Sequence, residues 1–217
     1  LNPLEFETKN VNHNPSFKLS IDDKKDCPRY IGAVVSNVTV KPSPEWMQER
    51  LIAVGQRPIN NLVDISNYIL MEIGQPTHIF DWDKIDNKEI LVRRASKNET
   101  IKTLDQNSVK LNGNHLLITD GKKPIAIAGV MGGFDSAVSD ETQTVFIESA
   151  YFDPITIRKS SKSLSLSTEA SKRYERGADP EMALLAFWRM LSLIEEHAGG
   201  SFDGEFLDLF PGNIEKS

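Results

Sequence analysis

Between Glu89 and Ser149 the chain passes through five stretches of strand length with no helical period among them, and this succession constrains the fold more than any other feature. The stretches are Glu89–Arg94, Ser108–Leu111, His115–Thr119, Pro124–Ala128 and Thr144–Ser149. Strands that follow one another without crossover helices pair in antiparallel or mixed sheets, since a parallel neighbour needs a connection of a dozen or more residues. Asn112-Gly113-Asn114 has the chemistry of a hairpin turn, and Gly129-Val130-Met131-Gly132-Gly133 leads from the fourth stretch toward the fifth. Helical periods lie to either side. Ser43-Pro44 opens one helix, with Met47, Leu51 and Val54 on its apolar stripe and Gly55 as its stop. A second starts near Asn60, places Leu62, Ile65, Ile69 and Ile73 on one face, and stops at Gly74. A third runs from Pro180 to about His197 through Met182, Ala186, Met190 and Ile194. A further strand is expected over Tyr30–Val40, and a short helix after Asp153-Pro154. There is no repeat and no strict strand–helix alternation, so the expected class is α+β.

A length of 217 residues permits one large domain or two small ones. Residues 1–26 are polar and irregular and read as a linker or a loosely attached strand. Residues 27–217 read as the folded unit, with two intertwined subdomains as the finer alternative. The chain begins at Leu1 without a Met, as expected of a piece of a longer protein. No apolar run is long enough to span a bilayer, and the start lacks the basic head and apolar stretch of a secretory signal, so no membrane partner is expected. Cys27 is the sole cysteine, which excludes an internal disulfide and a cysteine-based zinc site and suits a reducing cytoplasm. The net charge is -6 and no dense Lys/Arg block occurs. Phosphate neutralisation supplies most of the affinity for long nucleic acids, so an RNA partner would be touched only at a short single-stranded end. Lys159, Lys162, Arg173 and Arg176 could form a small basic lip within an otherwise solvated, serine-rich stretch.

The four histidines, His13, His78, His115 and His197, show no metal-ligand spacing, and no metal site is expected. No G-x-S-x-G elbow is present, and the glycine run lacks the Lys-Ser/Thr of a phosphate-binding loop. Its plain reading is a tight turn, although glycines also let a ligand approach bare backbone N–H groups. His78, in Gly74-Gln75-Pro76-Thr77-His78, is expected just past a helix C-terminus, where the helix dipole favours a protonated ring. It is either a helix-terminus histidine bonded to free carbonyls or a proton-handling group at a pocket mouth. Glu148 interrupts the apolar run Val145-Phe146-Ile147-Glu148-Ser149-Ala150. Such a carboxylate is either solvent-facing by alternation or buried with a partner.

Several motifs in one order resemble the bacterial phenylalanyl-tRNA synthetase beta subunit. They are Cys27-Pro28-Arg29-Tyr30, Pro42-Ser43-Pro44-Glu45-Trp46-Met47, Arg57-Pro58-Ile59-Asn60-Asn61-Leu62-Val63-Asp64 and Ser66-Asn67-Tyr68. Gly74-Gln75-Pro76 with His78, Ala128-Gly129-Val130-Met131-Gly132-Gly133, and Thr168-Glu169-Ala170-Ser171 leading to Glu175-Arg176-Gly177 continue the series. The match runs from about Cys27 to Gly200. It implies a cytoplasmic fragment with a β-sandwich-like core of mixed or antiparallel sheets and flanking helices. It also implies an editing module that removes tyrosine wrongly attached to phenylalanine tRNA. Two departures stand out: Ser66 replaces a more usual Thr, keeping the hydroxyl and losing a methyl, and Thr77 and Phe80-Asp81-Trp82 depart from the commonest wording.

The resemblance places the pocket at Arg57, Ser66, Asn67, His78, Ala128, Gly129, Gly132, Glu148, Thr168 and Ala170. In the roles it suggests, Glu148 accepts the phenol O–H of tyrosine, and backbone N–H groups near Gly129 and Gly132 steady the carbonyl or amine. His78, Ser66 and Asn67 orient water or the terminal ribose, Arg57 faces the tRNA end, and Thr168 and Ala170 shape the wall. The partners implied are the aminoacylated 3′ end of tRNA, the synthetase alpha subunit and the remaining beta-subunit domains. No cofactor is expected in this fragment, while the parent enzyme would use ATP and magnesium elsewhere. The isolated chain is expected to be weakly active, because the rest of the synthetase would hold the tRNA. Two alternatives stand beside this reading: a non-catalytic binding module for an aromatic amino acid or a tRNA end, and a structural scaffold within the synthetase.

Overall fold

The computed structural model describes residues 16–210. The first half carries β1 (Lys18–Ile21), β2 (Arg29–Ser36), α1 (Glu45–Ala53), α2 (Asn61–Ile73), β3 (Thr77–Asp81) and β4 (Glu89–Arg94). Short strands follow: β5 (Thr100–Lys102), β6 (Ser108–Lys110), β7 (Leu116–Thr119), β8 (Pro124–Ile127) and β9 (Met131–Gly132). The long β10 (Thr144–Tyr151) then leads to α3 (Pro154–Leu164), α4 (Glu169–Tyr174), α5 (Met182–Ala198) and β11 (Phe206–Leu209).

Two main sheets pack face to face. One has the order β11-β2-β10-β3 with antiparallel neighbours throughout; the other has the order β1-β4-β7-β8-β9, antiparallel except for the parallel pair β1–β4. The expected α+β class with mixed and antiparallel sheets is what the chain adopts. Strand alternation divides β10 between two cores. Phe146 and Ala150 point into the apolar layer between the sheets with Tyr30 and Phe80, while Val145 and Ile147 point into the layer beneath the helices with Ile31, Ala33 and Ile79. Helices α1, α2 and α5 cover that second face through Met47, Leu51, Leu62, Ile65, Ile69, Ala186, Met190 and Ile194. Ile157 of α3 and Tyr174 of α4 close the first layer.

The helix stops match the sequence, Gly55 following the α1 C-cap with φ +80°, and the stripes match except at Val54. Gly74 and Gly199 end α2 and α5 in the left-handed conformation, and Asn60 caps α2 by accepting from the Val63 N–H. Val54 is 54% exposed, because α1 ends at Ala53 before its third apolar position can reach the core. Ser43 does not cap α1; its hydroxyl donates to buried Asp64, whose other oxygen accepts from the Ile59 N–H, so it ties the two helices together.

Three further expectations change. Asn112–Asn114 makes a turn, but β6 and β7 do not form a hairpin: β6 pairs with β5 in a separate two-stranded sheet, and the turn carries the chain from one sheet to another. The glycine run turns β8 into β9 within one sheet, and β10 lies in the other. The serine-rich stretch is half helix. Ser160 and Ser161 are buried on α3, where their small size lets the helix lie close to its neighbours, while Lys159 and Lys162 face solvent. Of the segment expected to be a linker or a loosely attached strand, residues 1–15 lie outside the described residues. Residues 16–26 include β1, and Phe17 is buried edge-on to Trp82 and Phe146.

Gly32 shows how tightly the inter-sheet layer is filled. A Cβ at this position on β2 would run into the Phe146 ring. Overpacking of this kind costs about 1–3 kcal/mol. Gly32→Ala is therefore expected to lower the thermal midpoint by roughly 3–10 °C, since 1 kcal/mol moves a domain of this size by about 2–4 °C. An unchanged midpoint would show that the layer has slack.

Candidate functional site

The same layer opens at one end into a cavity of about 680 Å³ bounded by α2, β3, β8–β9, β10 and the start of α4. Its wall on α2 consists of Asn60, Val63, Ser66, Asn67 and Leu70. The last four are spaced at i, i+3, i+4 and i+7, a stripe adjacent to the buried one formed by Leu62, Ile65 and Ile69. Leu104 and Asp105, from the loop between β5 and β6, and Met131 on β9 contribute the opposite rim.

Eight of the ten residues expected at the pocket lie on this wall: Ser66, Asn67, His78, Gly129, Gly132, Glu148, Thr168 and Ala170. Two do not. Ala128 is fully buried behind the wall, its N–H bonded to the Leu116 carbonyl. Arg57 is exposed in the loop between α1 and α2, beside the lining residues Gln56 and Ile59. Of the basic lip, Lys159 and Lys162 lie exposed on α3, and Arg173 stands 3.6 Å from Glu169 at the cavity edge.

Glu148 and His78 face each other in register across β10 and β3, which places both side chains on the cavity side of the sheet. Glu148 is 5% exposed and accepts a hydrogen bond from the Tyr30 hydroxyl at Oε2, 2.6 Å away. Burial pushes its pKa from 4.5 up to about 7, against the opposing effect of the Tyr30 bond. The carboxyl is thus poised between its two forms near neutrality.

His78 departs from expectation. It is not a charged residue at a helix end but a member of β3, its ring 4.4 Å from Phe80 in an edge-on contact. Burial lowers its pKa to about 4, so the ring is neutral at physiological pH. Part of the ring remains exposed on the cavity wall. Gly132 makes room for it: an added Cβ there would sit 2.7 Å from His78 Cε1 and 2.8 Å from Nε2.

The remaining wall residues differ in what they have left to offer a ligand. Ser66 donates to the Thr77 carbonyl at 2.6 Å and its oxygen accepts from the Thr77 hydroxyl at 3.0 Å, so only one lone pair of that oxygen is left for the cavity. Thr168 caps α4 and also donates to the Val130 carbonyl at 2.8 Å, which fastens the helix to the glycine turn. Asn67 has no side-chain hydrogen bond to another described residue, so its whole amide is available. In the turn itself, the N–H groups of Ala128, Val130 and Gly133 bond to backbone carbonyls, while Gly129 donates to none among the described residues. Gly129 also has φ +64° and packs against Tyr174, Ile157 and Phe152, a conformation and closeness that suit glycine. Among the described residues no group of three or more His, Cys, Asp or Glu side chains is gathered as metal ligands. No helix among them is long and apolar enough to cross a membrane.

Fold and site together define an α+β pocket domain, with its ligand cavity at the open end of a two-sheet layer. The family described as the B3/4 domain matches residues 26–199, and the chain belongs to that family. The phenylalanine–tRNA ligase beta subunit of Thermotoga maritima is 42% identical over 215 residues, covering 99% of this chain and 27% of that subunit. The subunit of the same name from Geobacillus kaustophilus is 51% identical over 188 residues, covering 87% and 23%. The chain thus spans about a quarter of the length of these curated relatives. A solved N-terminal fragment of the phenylalanyl-tRNA synthetase beta-subunit from Pyrococcus horikoshii shares the fold, with a TM-score of 0.56 at 15% identity over 94% of this chain and 56% of that one.

The two displaced pKa values oppose each other in stability. Glu148 holds its proton more tightly when folded, so its contribution is full below pH 4.5 and is lost as pH rises through about 7. His78 resists protonation when folded, so its contribution is full above 6.5 and is lost as pH falls through about 4. Each is worth roughly 3 kcal/mol, and between 4.5 and 6.5 their slopes cancel. Denaturant unfolding across this range is expected to show Glu148→Gln gaining stability with rising pH and His78→Ala losing it, each relative to the parent chain. Parallel profiles for all three would contradict the assignment.

Proposed function

We propose that this chain is the editing module of a phenylalanyl-tRNA synthetase beta subunit, hydrolysing the ester that joins wrongly attached tyrosine to phenylalanine tRNA. The observation that carries this reading is Glu148: a buried carboxyl on the wall of a mostly apolar cavity, with one oxygen already bonded and pKa near neutrality. A site that binds phenylalanine discriminates poorly against an analogue that only adds a hydroxyl, roughly 100-fold. A second site can select for that hydroxyl. The phenol donates to the second oxygen of Glu148, whereas phenylalanine leaves that oxygen desolvated and without a donor.

The reaction asks little of the protein. Water adds to the ester carbonyl and the ribose oxygen leaves with a proton, giving free tyrosine and uncharged tRNA. The bond is labile, so positioning the water and stabilising the developing oxyanion suffice. The Gly129 N–H, which donates to no backbone carbonyl among the described residues, serves the oxyanion. Neutral His78 orients the water through its lone pair; with a pKa of about 4 it is too weak a base to store the proton at neutral pH. Asn67 and Ser66 hold the ribose, and Arg57, outside the cavity, meets the strand that leads to it. The partners in this reading are the aminoacylated tRNA end, the synthetase alpha subunit and the other beta-subunit domains, in the cytoplasm.

Glu148→Ala is expected to slow hydrolysis of tyrosyl-tRNA by about 10- to 100-fold, from the roughly 1.5–3 kcal/mol of a hydrogen bond to a charged group. Hydrolysis of phenylalanyl-tRNA should not fall. Deacylation of both substrates by the chain and by the full heteromer measures this, and an equal loss on both would remove the selection role. His78→Ala should slow hydrolysis of both substrates without removing any inflection of the rate near pH 6.5. An inflection there that vanishes with the substitution would make His78 a titrating base instead.

A further inference from the structure

We infer that Tyr30 is a positioning residue for selection: its hydroxyl claims one oxygen of Glu148 and thereby fixes the other as the acceptor for the substrate's phenol. This rests on the editing reading of the cavity and extends it to a residue behind the wall. Tyr30 is fully buried on β2, the neighbour of β10, and does not line the cavity itself. Its register partner is Ala150, two residues along from Glu148 on the same face of β10, so the phenol reaches its acceptor diagonally across the ladder. Gly32, directly opposite Glu148, has no side chain to stand in the way.

The consequence is geometric and electrostatic. A carboxylate offers two oxygens, and one free to rotate could present either to a ligand. With Oε2 held 2.6 Å from the Tyr30 hydroxyl, the carboxyl plane is pinned, and Oε1 is left to accept from the ligand. The same bond favours the ionised form, the better acceptor, and so brings the ionisation of Glu148 down toward neutrality. The other groups near Glu148 do not titrate with it. Burial raises the pKa of Tyr30, of Cys27 just before β2, and of Tyr174 on α4, so all three stay neutral at physiological pH. His78 on β3 is neutral above about 4. At the cavity rim, Asp105, bonded by Thr103 and Asn107, and Glu169, bonded by Lys172, are held below the usual carboxylate range and stay ionised. Glu148 is therefore the group of this set that changes charge between about pH 5.5 and 8.5.

The test is the ratio of tyrosyl- to phenylalanyl-tRNA hydrolysis by the chain, measured from pH 5.5 to 8.5. The ratio cancels the hydroxide dependence common to both esters. For the parent chain it should rise through a midpoint near pH 7, and Glu148→Gln should abolish that rise. In Tyr30→Phe the midpoint should move up by about one or more; a rise of one lowers the ionised fraction at pH 7 from one half to about one tenth, and the ratio about fivefold. The ratio should recover above pH 8. Carbon-13 NMR titration of the Glu148 carboxyl in the free chain should show the same upward displacement without any substrate. Difluorotyrosine at position 30, a stronger donor, should displace both downward and gives a second reading if Tyr30→Phe folds poorly. A midpoint present in the parent and unmoved by either change would overturn the role of Tyr30 and leave the editing reading standing. A parent ratio with no midpoint that depends on Glu148 would overturn both.

Discussion

A β-strand buried on both faces can carry a carboxyl only where another group meets it, because an unpaired buried charge costs far more than a domain of this size can offset. β10 is such a strand, held between β2 and β3 with an apolar layer on either side. The bond from Tyr30 to Glu148 answers that constraint, and the rest of the site follows from it. Alternation aims Glu148, with Phe146 and Ala150, into the layer between the sheets. The antiparallel register sets His78 opposite it, and the gap left at Gly132 admits the His78 ring. The acidic net charge of the chain plays little part in this chemistry, which turns on one carboxyl in a region of low dielectric.

Magnitudes decide which role each polar group can take. A carboxyl with a pKa near 7 is a responsive acceptor, since a bound phenol can tip it fully into the ionised form. An imidazole with a pKa near 4 can hold water by its lone pair but takes up a proton poorly at neutral pH. Thr168 and the amides of Val130 and Gly133 are committed to holding the glycine turn and α4 in place. Asn67 and Gly129 line the cavity, and neither the Asn67 side-chain amide nor the Gly129 N–H donates to another described residue.

Much of this was legible in the sequence where the signal is local. The stripe on α2, its cap at Asn60 and its stop at Gly74 follow from periodicity and backbone preference. Glu148 drew attention because a charge inside an apolar strand demands a reason. Non-local pairing was not legible. The chemistry of Asn112–Asn114 specifies a turn but not which strands it joins, so β6 pairs with β5. The sequence places His78 at a helix end because Gln75-Pro76 is too short a connection to announce a new strand, and its neutral state comes from burial that only the packed sheets define. Tyr30 meets Glu148 across 118 positions of chain, a contact that depends on the register of β2 with β10. The resemblance to synthetase beta subunits points to wall residues such as Ser66, Asn67 and Ala170 that spacing alone does not single out.

Whether one buried carboxyl reads a phenol is better tested by binding than by turnover. Calorimetry of the chain with tyrosinamide and with phenylalaninamide, at pH 6, 7 and 8, separates selection from chemistry. Tyrosinamide is expected to bind roughly 10- to 100-fold more tightly than phenylalaninamide at pH 8, the equivalent of about 1.5–3 kcal/mol. This preference should shrink at pH 6 and be lost in Glu148→Ala. Equal affinities at every pH, or a preference that survives the loss of Glu148, would contradict that role.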